Sequence, residues 1–234
     1  MVNISDFLHS LSHVLRHPAW QNRRRPFTYA AIGDSTVEGV GASKPAKAYA
    51  GILYAIIKQN FKHATYYNFG VSGARAIDVL EGQTEKAVAV RPDLITLSVG
   101  ANDIVRRTSL EAFRASLTAL IERLQAETEA IIVITNVPNF SRLRSVPRLL
   151  KPVARRRIER FNAAILDIAH SHNLIYIDTF QTSTVFAHNY PEAVAGDNFH
   201  PSDFGYALWA STIAAAIQDK LTLLKLGNYR PASN

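Results

Sequence analysis

Two short segments, far apart in the chain, carry residue types that can make and break an acyl bond. Gly33-Asp34-Ser35 ends an apolar run near the start, and Gly196-Asp197-Asn198-Phe199-His200-Pro201 comes close to the end. A serine hydroxyl is a weak nucleophile until a base takes its proton, and a neutral imidazole is the usual base. His200 is the candidate base. Asp197, three residues earlier, is placed to hold the imidazole in one tautomer and balance its charge. The tetrahedral intermediate needs donors aimed at its oxyanion, and the backbone amides of Ser35 and Gly73 with the side-chain amide of Asn102 fit that need. Each residue alone has a plainer reading: Ser35 as a helix N-cap, Asp34 and Asn102 as turn formers, Asp197 as a cap on the last helix. Asp178 is a rival acid and His188 a rival base.

Length and composition suit a single α/β domain, since 234 residues with 47% hydrophobic content supply a full core. The absence of cysteine excludes a thiolate nucleophile, cysteine-ligated zinc and a redox pair, and fits a cytoplasmic protein. Ile4, Phe7, Leu8, Leu11, Val14 and Leu15 recur at helical spacing, and Arg23, Arg24 and Arg25 follow them. A secretory signal carries its charge before the apolar part. Residues 1–26 are therefore expected to form an amphipathic helix and a basic linker, 27–226 the domain, and 227–234 a loose tail. No window approaches the roughly 18 uncharged apolar residues of a membrane span, so the chain is expected to be soluble.

Short, nearly continuous apolar runs at Phe27–Ile32, Thr65–Val71, Leu94–Val99, Ala130–Val137 and Leu174–Ile177 read as strands buried on both faces. Helix-length segments follow at Ala46–Phe61, Ala74–Val90, Leu110–Glu127, Val153–His172 and Asp203–Leu224. Alternation of this kind predicts a doubly wound parallel sheet of about five β-α units, with the ligand crevice outside the carboxyl ends of the strands. The polar clusters fall there: Asp34-Ser35 after the first strand, Ser72-Gly73 after the second, Gly100-Ala101-Asn102-Asp103 after the third, Asn136-Val137-Pro138 after the fourth, and Asp197 with His200 in the loop after the fifth.

Four blocks, Gly33-Asp34-Ser35-Thr36, Val71-Ser72-Gly73, Gly100-Ala101-Asn102-Asp103 and Asp197-Asn198-Phe199-His200-Pro201, resemble in kind and order the signature of the SGNH superfamily of GDSL-type esterases and lipases. The resemblance covers roughly residues 27 to 220. It implies a three-layer, flavodoxin-like α/β/α fold with strand order 2-1-3-4-5. It also implies Ser35 as nucleophile, Gly73 and Asn102 completing the oxyanion hole, and Asp197 and His200 finishing the triad. Asp34, Gly100 and Asp103 would support these groups, Asp103 by anchoring its loop to backbone amides. Thr36 departs from the leucine usual at that place and should alter packing or hydrogen bonding behind the nucleophile rather than the reaction. The activity implied is hydrolysis of carboxylic esters through an acyl-enzyme without metal or cofactor. Lipid-like or short-acyl esters are the first choice, handled by an esterase or lysophospholipase, and carbohydrate O-deacetylation is the alternative. A non-catalytic protein that docks through a basic rim is the reading from another class.

Other motifs fail on spacing. Gly70-Val71-Ser72-Gly73-Ala74 lacks the second glycine position of an α/β-hydrolase elbow. Gly39 and Gly41 lack the third glycine of a dinucleotide fingerprint, where Lys44 stands. His170 and His172 lie two apart, on different sides of a helix end, with no third metal ligand evident.

Charge is the second signal. Arg142, Arg144, Arg148, Lys151, Arg155, Arg156, Arg157 and Arg160 against Glu159 alone give this stretch +7, equal to the net charge of the whole chain. Its first half should follow the fourth strand on the active-site rim, with Arg106 and Arg107 beside it. A solvated face is the plain reading. Attraction to an anionic membrane surface or substrate is the sharper one, and Leu143, Val146, Leu149, Leu150 and Val153 would make the segment a basic amphipathic lid. Nucleic acid is not expected, because no aromatic residues interleave the charges.

Overall fold

The computed structural model describes residues 26–225, so the expected N-terminal helix and the expected tail lie outside the described residues. Five parallel strands, β1 (Phe27–Gly33), β2 (Ala64–Asn68), β3 (Leu94–Ser98), β4 (Ile131–Thr135) and β5 (Ile175–Ile177), form one sheet in the order β2-β1-β3-β4-β5, as the resemblance implied. Tyr29 pairs with Leu94, and Leu94 in turn with Ile131. This register brings the carboxyl ends Gly33, Ser98 and Thr135 level.

β3 and β4 are buried at every position, which is why they read as nearly continuous apolar runs. Their side chains alternate between two cores. Tyr29, Leu94 and Val133 meet α2 (Tyr49–Asn60) and α9 (Asp203–Lys225) on one face, through Leu53, Ile57, Trp209 and Ile213. Ala30, Ile95 and Ile134 meet α3 (Ala76–Gly82), α4 (Thr84–Ala89), α6 (Leu110–Glu127) and α7 (Lys151–Ser171) on the other. β2 differs from expectation: it is an edge strand that ends at Asn68 and is half open to solvent, with Tyr67 41% exposed.

Three helices were not anticipated, α1 (Ser35–Glu38), α5 (Ala101–Val105) and α8 (Thr179–Asn189). The first two are single turns on which site residues sit. The helix expected over 74–90 is two, because Gln83 breaks it and turns its amide onto β1. The Gly33 N–H donates to Gln83 Oε1 at 2.7 Å, and Gln83 Nε2 donates to the Gly33 carbonyl at 2.8 Å. A buried side-chain amide thus pairs with the end of β1 as a strand would.

Gly33 is required by the close approach of β3. A Cβ there would lie 2.0 Å from the Ser98 carbonyl oxygen, and φ is +142°. Gly33→Ala is expected to cost about 3 kcal/mol or more, from backbone strain and overpacking together. Urea unfolding would show it as a lower midpoint at unchanged slope. A midpoint equal to the wild type would contradict the packing of β1 on β3.

Candidate active site

Ser35 opens α1, directly after the β1 carboxyl end, and Asp34 is its N-cap. The Asp34 N–H donates to the Ser98 carbonyl at 3.1 Å, which fixes the corner. From the far end of the chain, the loop before α9 closes on it. His200 Nε2 lies 2.9 Å from Ser35 Oγ, and His200 Nδ1 lies 2.6 Å from Asp197 Oδ2. An ionised carboxylate only accepts, so Nδ1 carries the proton and Nε2 is free to accept from the Ser35 hydroxyl. The structure therefore brings together the three residues that the sequence separates by 165 positions.

The loop carrying Asp197 and His200 is held by its own backbone. Ala195 N–H donates to the His200 carbonyl at 2.8 Å, and Asp197 Oδ1 accepts from the amides of Phe199 and His200, both at 2.9 Å. Asp203, at the start of α9, accepts from the Ser43 amide at 2.8 Å and hydroxyl at 2.7 Å, and Tyr206 donates to the Val40 carbonyl at 2.7 Å. These bonds tie the loop after α1 to the helix after His200.

The glycine and asparagine blocks are bonded to the same corner. Val71 N–H donates to the Gly33 carbonyl at 3.1 Å, and Glu38 Oε2 accepts from the Ser72 amide at 2.7 Å and hydroxyl at 2.5 Å. Asn102 Nδ2 donates one proton to the Ala74 carbonyl at 3.1 Å and keeps a second. Gly73 adopts φ +81°, and neither its amide nor that of Ser35 has a protein acceptor among the described residues. Gly100, at φ +120°, precedes α5, which carries Asn102 and Asp103. Asp103 is buried and accepts from the Ala76 amide at 3.0 Å, anchoring its loop to the start of α3.

Environment separates the carboxylates. Burial pushes Asp34 up to about 6, against the pull of the Thr36 amide and hydroxyl and of His200. Burial likewise raises Asp103. Burial pulls Asp197 upward too, but the hydrogen bond from His200 and the two loop amides outweigh it and hold the carboxyl below the usual range. The rival acid Asp178 caps α8 through the Gln181 amide at 2.9 Å and accepts from Asn136 Nδ2 at 2.9 Å. Asn136 spends its other bonds on Tyr176, Thr179 and Phe180, so it holds the fold rather than facing a ligand. The His188 side chain lies outside the described part. His172 Nδ1 is pinned by Gln125 Oε1 at 2.9 Å, and no metal-holding cluster occurs among the described residues.

Beside His200 opens a cavity of about 130 Å³, lined among others by Thr36, Phe140, Leu143, Leu208 and Trp209. It sits between α8, α9 and the loop after β4. Thr36 donates its hydroxyl to Asp34 Oδ1 at 2.8 Å and lies 3.1 Å from Ser98 Oγ, so its departure from leucine is spent on hydrogen bonding behind Ser35. Sequence reasoning missed the cavity, Gln83 and Glu38. Gly82 was the one local sign that a helix ends before Gln83, and Glu38 carried no sign at all.

Of the expected rim arginines, Arg106 lies against the Gly73 corner, its Nη2 3.0 Å from where a Cβ on Gly73 would be. Arg107, Arg142, Arg144 and Arg148 are exposed outside the cavity. Arg157 is not a free charge: it donates to the Ile104 carbonyl at 3.2 Å and the Thr108 carbonyl at 2.7 Å, and it covers the Phe161 ring. Within the stretch expected as a basic amphipathic lid, Leu143 lines the cavity, and Leu149, Leu150 and Val153 are exposed.

The profile of the GDSL-like Lipase/Acylhydrolase family matches residues 31–208, from inside β1 to inside α9. The chain belongs to this family. The domain is accordingly a carboxylic ester hydrolase by class. It is 26% identical over 196 residues to a GDSL-like esterase of Mycobacterium tuberculosis, covering 82% of this chain and 62% of that one. It is 25% identical over 154 residues to an acetylxylan esterase of Geobacillus stearothermophilus, covering 61% of this chain and 67% of that one. This chain thus spans about three fifths of the mycobacterial relative. A crystal structure of a Geobacillus stearothermophilus acetylxylan esterase superposes with a TM-score of 0.66 at 21% identity, over 82% of this chain and 94% of that one, a likeness of fold. No helix among the described residues is long and apolar enough to cross a membrane.

The Asp34 shift has a testable sign. Its folded value, about 6, lies above the ordinary 3.8, so the folded state binds more protons than the unfolded state between them. The contribution of Asp34 to stability therefore falls by about 3 kcal/mol as pH rises from about 4 to about 6. Asp34→Asn keeps an oxygen to accept from Thr36 and removes the titration, so the variant should gain on the wild type by up to that amount over this window. Unfolding free energies measured across it would check this; a constant difference would show that Asp34 titrates normally.

Proposed function

We propose that this protein hydrolyses esters of short acyl chains through an acyl-enzyme on Ser35. The observation that carries the reading is the chain of hydrogen bonds Ser35 to His200 to Asp197, with an apolar cavity at its side. His200 Nε2 takes the hydroxyl proton as Ser35 Oγ attacks the ester carbonyl. The same nitrogen then gives that proton to the leaving alcohol and activates water for deacylation. Asp197 holds the tautomer and balances the imidazolium. The amides of Ser35 and Gly73, which have no protein acceptor among the described residues, and the second Asn102 Nδ2 proton are the donors for the oxyanion.

Cavity size selects the acyl group. A dry cavity of about 150 Å³ accommodates a molecule the size of benzene, so 130 Å³ suits a chain of about six heavy atoms. Its aliphatic and aromatic walls suit hydrocarbon, whereas sugar hydroxyls buried there would lose their hydrogen bonds to water. The alcohol part is left on the open rim. A lysophospholipid acyl chain is too long to be enclosed. Carbohydrate O-deacetylation is the second reading, favoured by the acetylxylan esterase among the relatives.

A series of p-nitrophenyl esters from acetate to palmitate tests these readings. The optimum is expected at butanoyl to hexanoyl, with dodecanoyl slower by at least about tenfold. Leu143→Trp, which narrows the cavity, should move the optimum towards acetate. Ser35→Ala should abolish both turnover and labelling by a fluorophosphonate. Acetate release from acetylated xylan with an acetyl optimum would favour the deacetylase, and a palmitoyl optimum would refute the cavity assignment.

A further inference from the structure

Where the chain leaves the loop after β4 and enters α7, three aliphatic side chains face solvent. Leu149 is 90% exposed, Val153 67% and Leu150 55%. Single exposed aliphatics are ordinary, but three within five residues form a ridge. Arg144, Arg148, Arg155, Arg156 and Arg160 are exposed around it, and among the described residues only Arg155 has a carboxylate partner, Glu159 at 2.7 Å.

The ridge stands beside the mouth of the active site. Leu143 lines the cavity, and Ser145 Oγ donates to the Asn198 carbonyl of the His200 loop at 3.4 Å. Val153 is one helical turn before Arg157, whose bonds to the Ile104 and Thr108 carbonyls hold α5 alongside. Val105 on α5 is 59% exposed, and Arg106 and Arg107 follow it, so aliphatic tips and arginines continue across one face.

We propose that this face docks on the anionic surface of a lipid bilayer, with Leu149, Leu150 and Val153 entering the interface and the arginines lying against lipid phosphates. Aliphatic groups projecting from a convex ridge need no matched groove when the receiving phase is fluid hydrocarbon, and the surrounding positive charge complements an anionic leaflet. Other occupants fit less well. Residues 1–25 carry Arg16 and Arg23 to Arg25 against Asp6 alone, so like charge opposes their covering the ridge. A symmetric contact with a second copy would set arginine against arginine. Nucleic acid would be met by stacking aromatics, and none lies between Arg142 and Arg160.

Co-sedimentation of the 234-residue chain with vesicles of equal parts phosphatidylcholine and phosphatidylglycerol tests the proposal, with pure phosphatidylcholine vesicles alongside. Binding is expected to the anionic vesicles at low salt, to weaken as salt rises, and to be absent from the neutral ones. Arg148→Gln/Arg156→Gln should weaken it by about fivefold per arginine removed. Leu149→Ser/Val153→Ser should weaken it by at least about tenfold at an unchanged melting temperature. No binding to anionic vesicles, or binding that neither pair changes, would overturn the proposal. So would binding of duplex DNA without binding of vesicles, or a dimer that dissociates in Leu149→Ser/Val153→Ser while the wild type leaves vesicles alone.

Discussion

The end of β1 has no side chain because the carbonyl of Ser98 occupies the place where one would be. Much of the site depends on that approach. With β1 and β3 this close, the same Ser98 carbonyl accepts from the Asp34 amide, and the chain must turn into α1 with Ser35 at the corner. Gln83 closes the other side by bonding both backbone groups of Gly33. Backbone donors and acceptors at a strand end are expensive to leave unpaired in a buried place. A side-chain amide offers the same donor and acceptor as a peptide unit, so it meets that demand where no strand can pass.

On this fixed corner the remaining parts are assembled by hydrogen bonds from other strands. Glu38 holds the Ser72-Gly73 turn, Asn102 bonds next to it through Ala74, and Asp103 seats α3 through Ala76. Only the His200 loop comes from a distant part of the chain, and Asp203 with Tyr206 ties it to residues 40–43. Among the described residues the amides of Ser35 and Gly73 have no protein acceptor, and Asn102 Nδ2 spends only one of its protons, on the Ala74 carbonyl.

The legible part of this molecule is what local chemistry dictates. Strands buried on both faces show as apolar runs, and polar blocks that follow them mark the rim, so Ser35, Gly73, Asn102, Asp197 and His200 could be read from type and place. Tertiary pairings could not. Gln83 sits in what reads as one helix, and its role exists only because Gly33 is folded against it. α8 was hidden for a different reason. Thr182, Ser183 and Thr184 are weak helix formers, but each hydroxyl bonds a carbonyl of the preceding turn, and Asp178 caps the start. The apolar residues of 143–153, read as one side of a basic amphipathic lid, do not share one environment. Leu143 lines the cavity, Leu149, Leu150 and Val153 are exposed, and α7 buries Ile158, Phe161 and Ile165 one to three turns later.

His200 acts on two carboxylates, on Asp34 through space and on Asp197 through a hydrogen bond, and their surroundings differ. Asp34 is 2% exposed, and burial raises its proton affinity to a value near 6. Its Oδ1 already accepts from the Thr36 amide and hydroxyl, so its geometry belongs to the corner. Asp197 keeps a side chain 42% exposed and receives three N–H donors, two from its own loop and one from the imidazole, which hold it ionised. A group that must stabilise an imidazolium as it forms has to be charged beforehand and already aimed at Nδ1. Asp197 meets both conditions. Asp34 fails the second: its Oδ1 is committed to the Thr36 amide and hydroxyl, and burial disfavours its charge besides. The spacing of three residues between Asp197 and His200 matters for the same reason, since one turn of loop lets a single carboxylate accept from both the backbone and the ring of the histidine it serves.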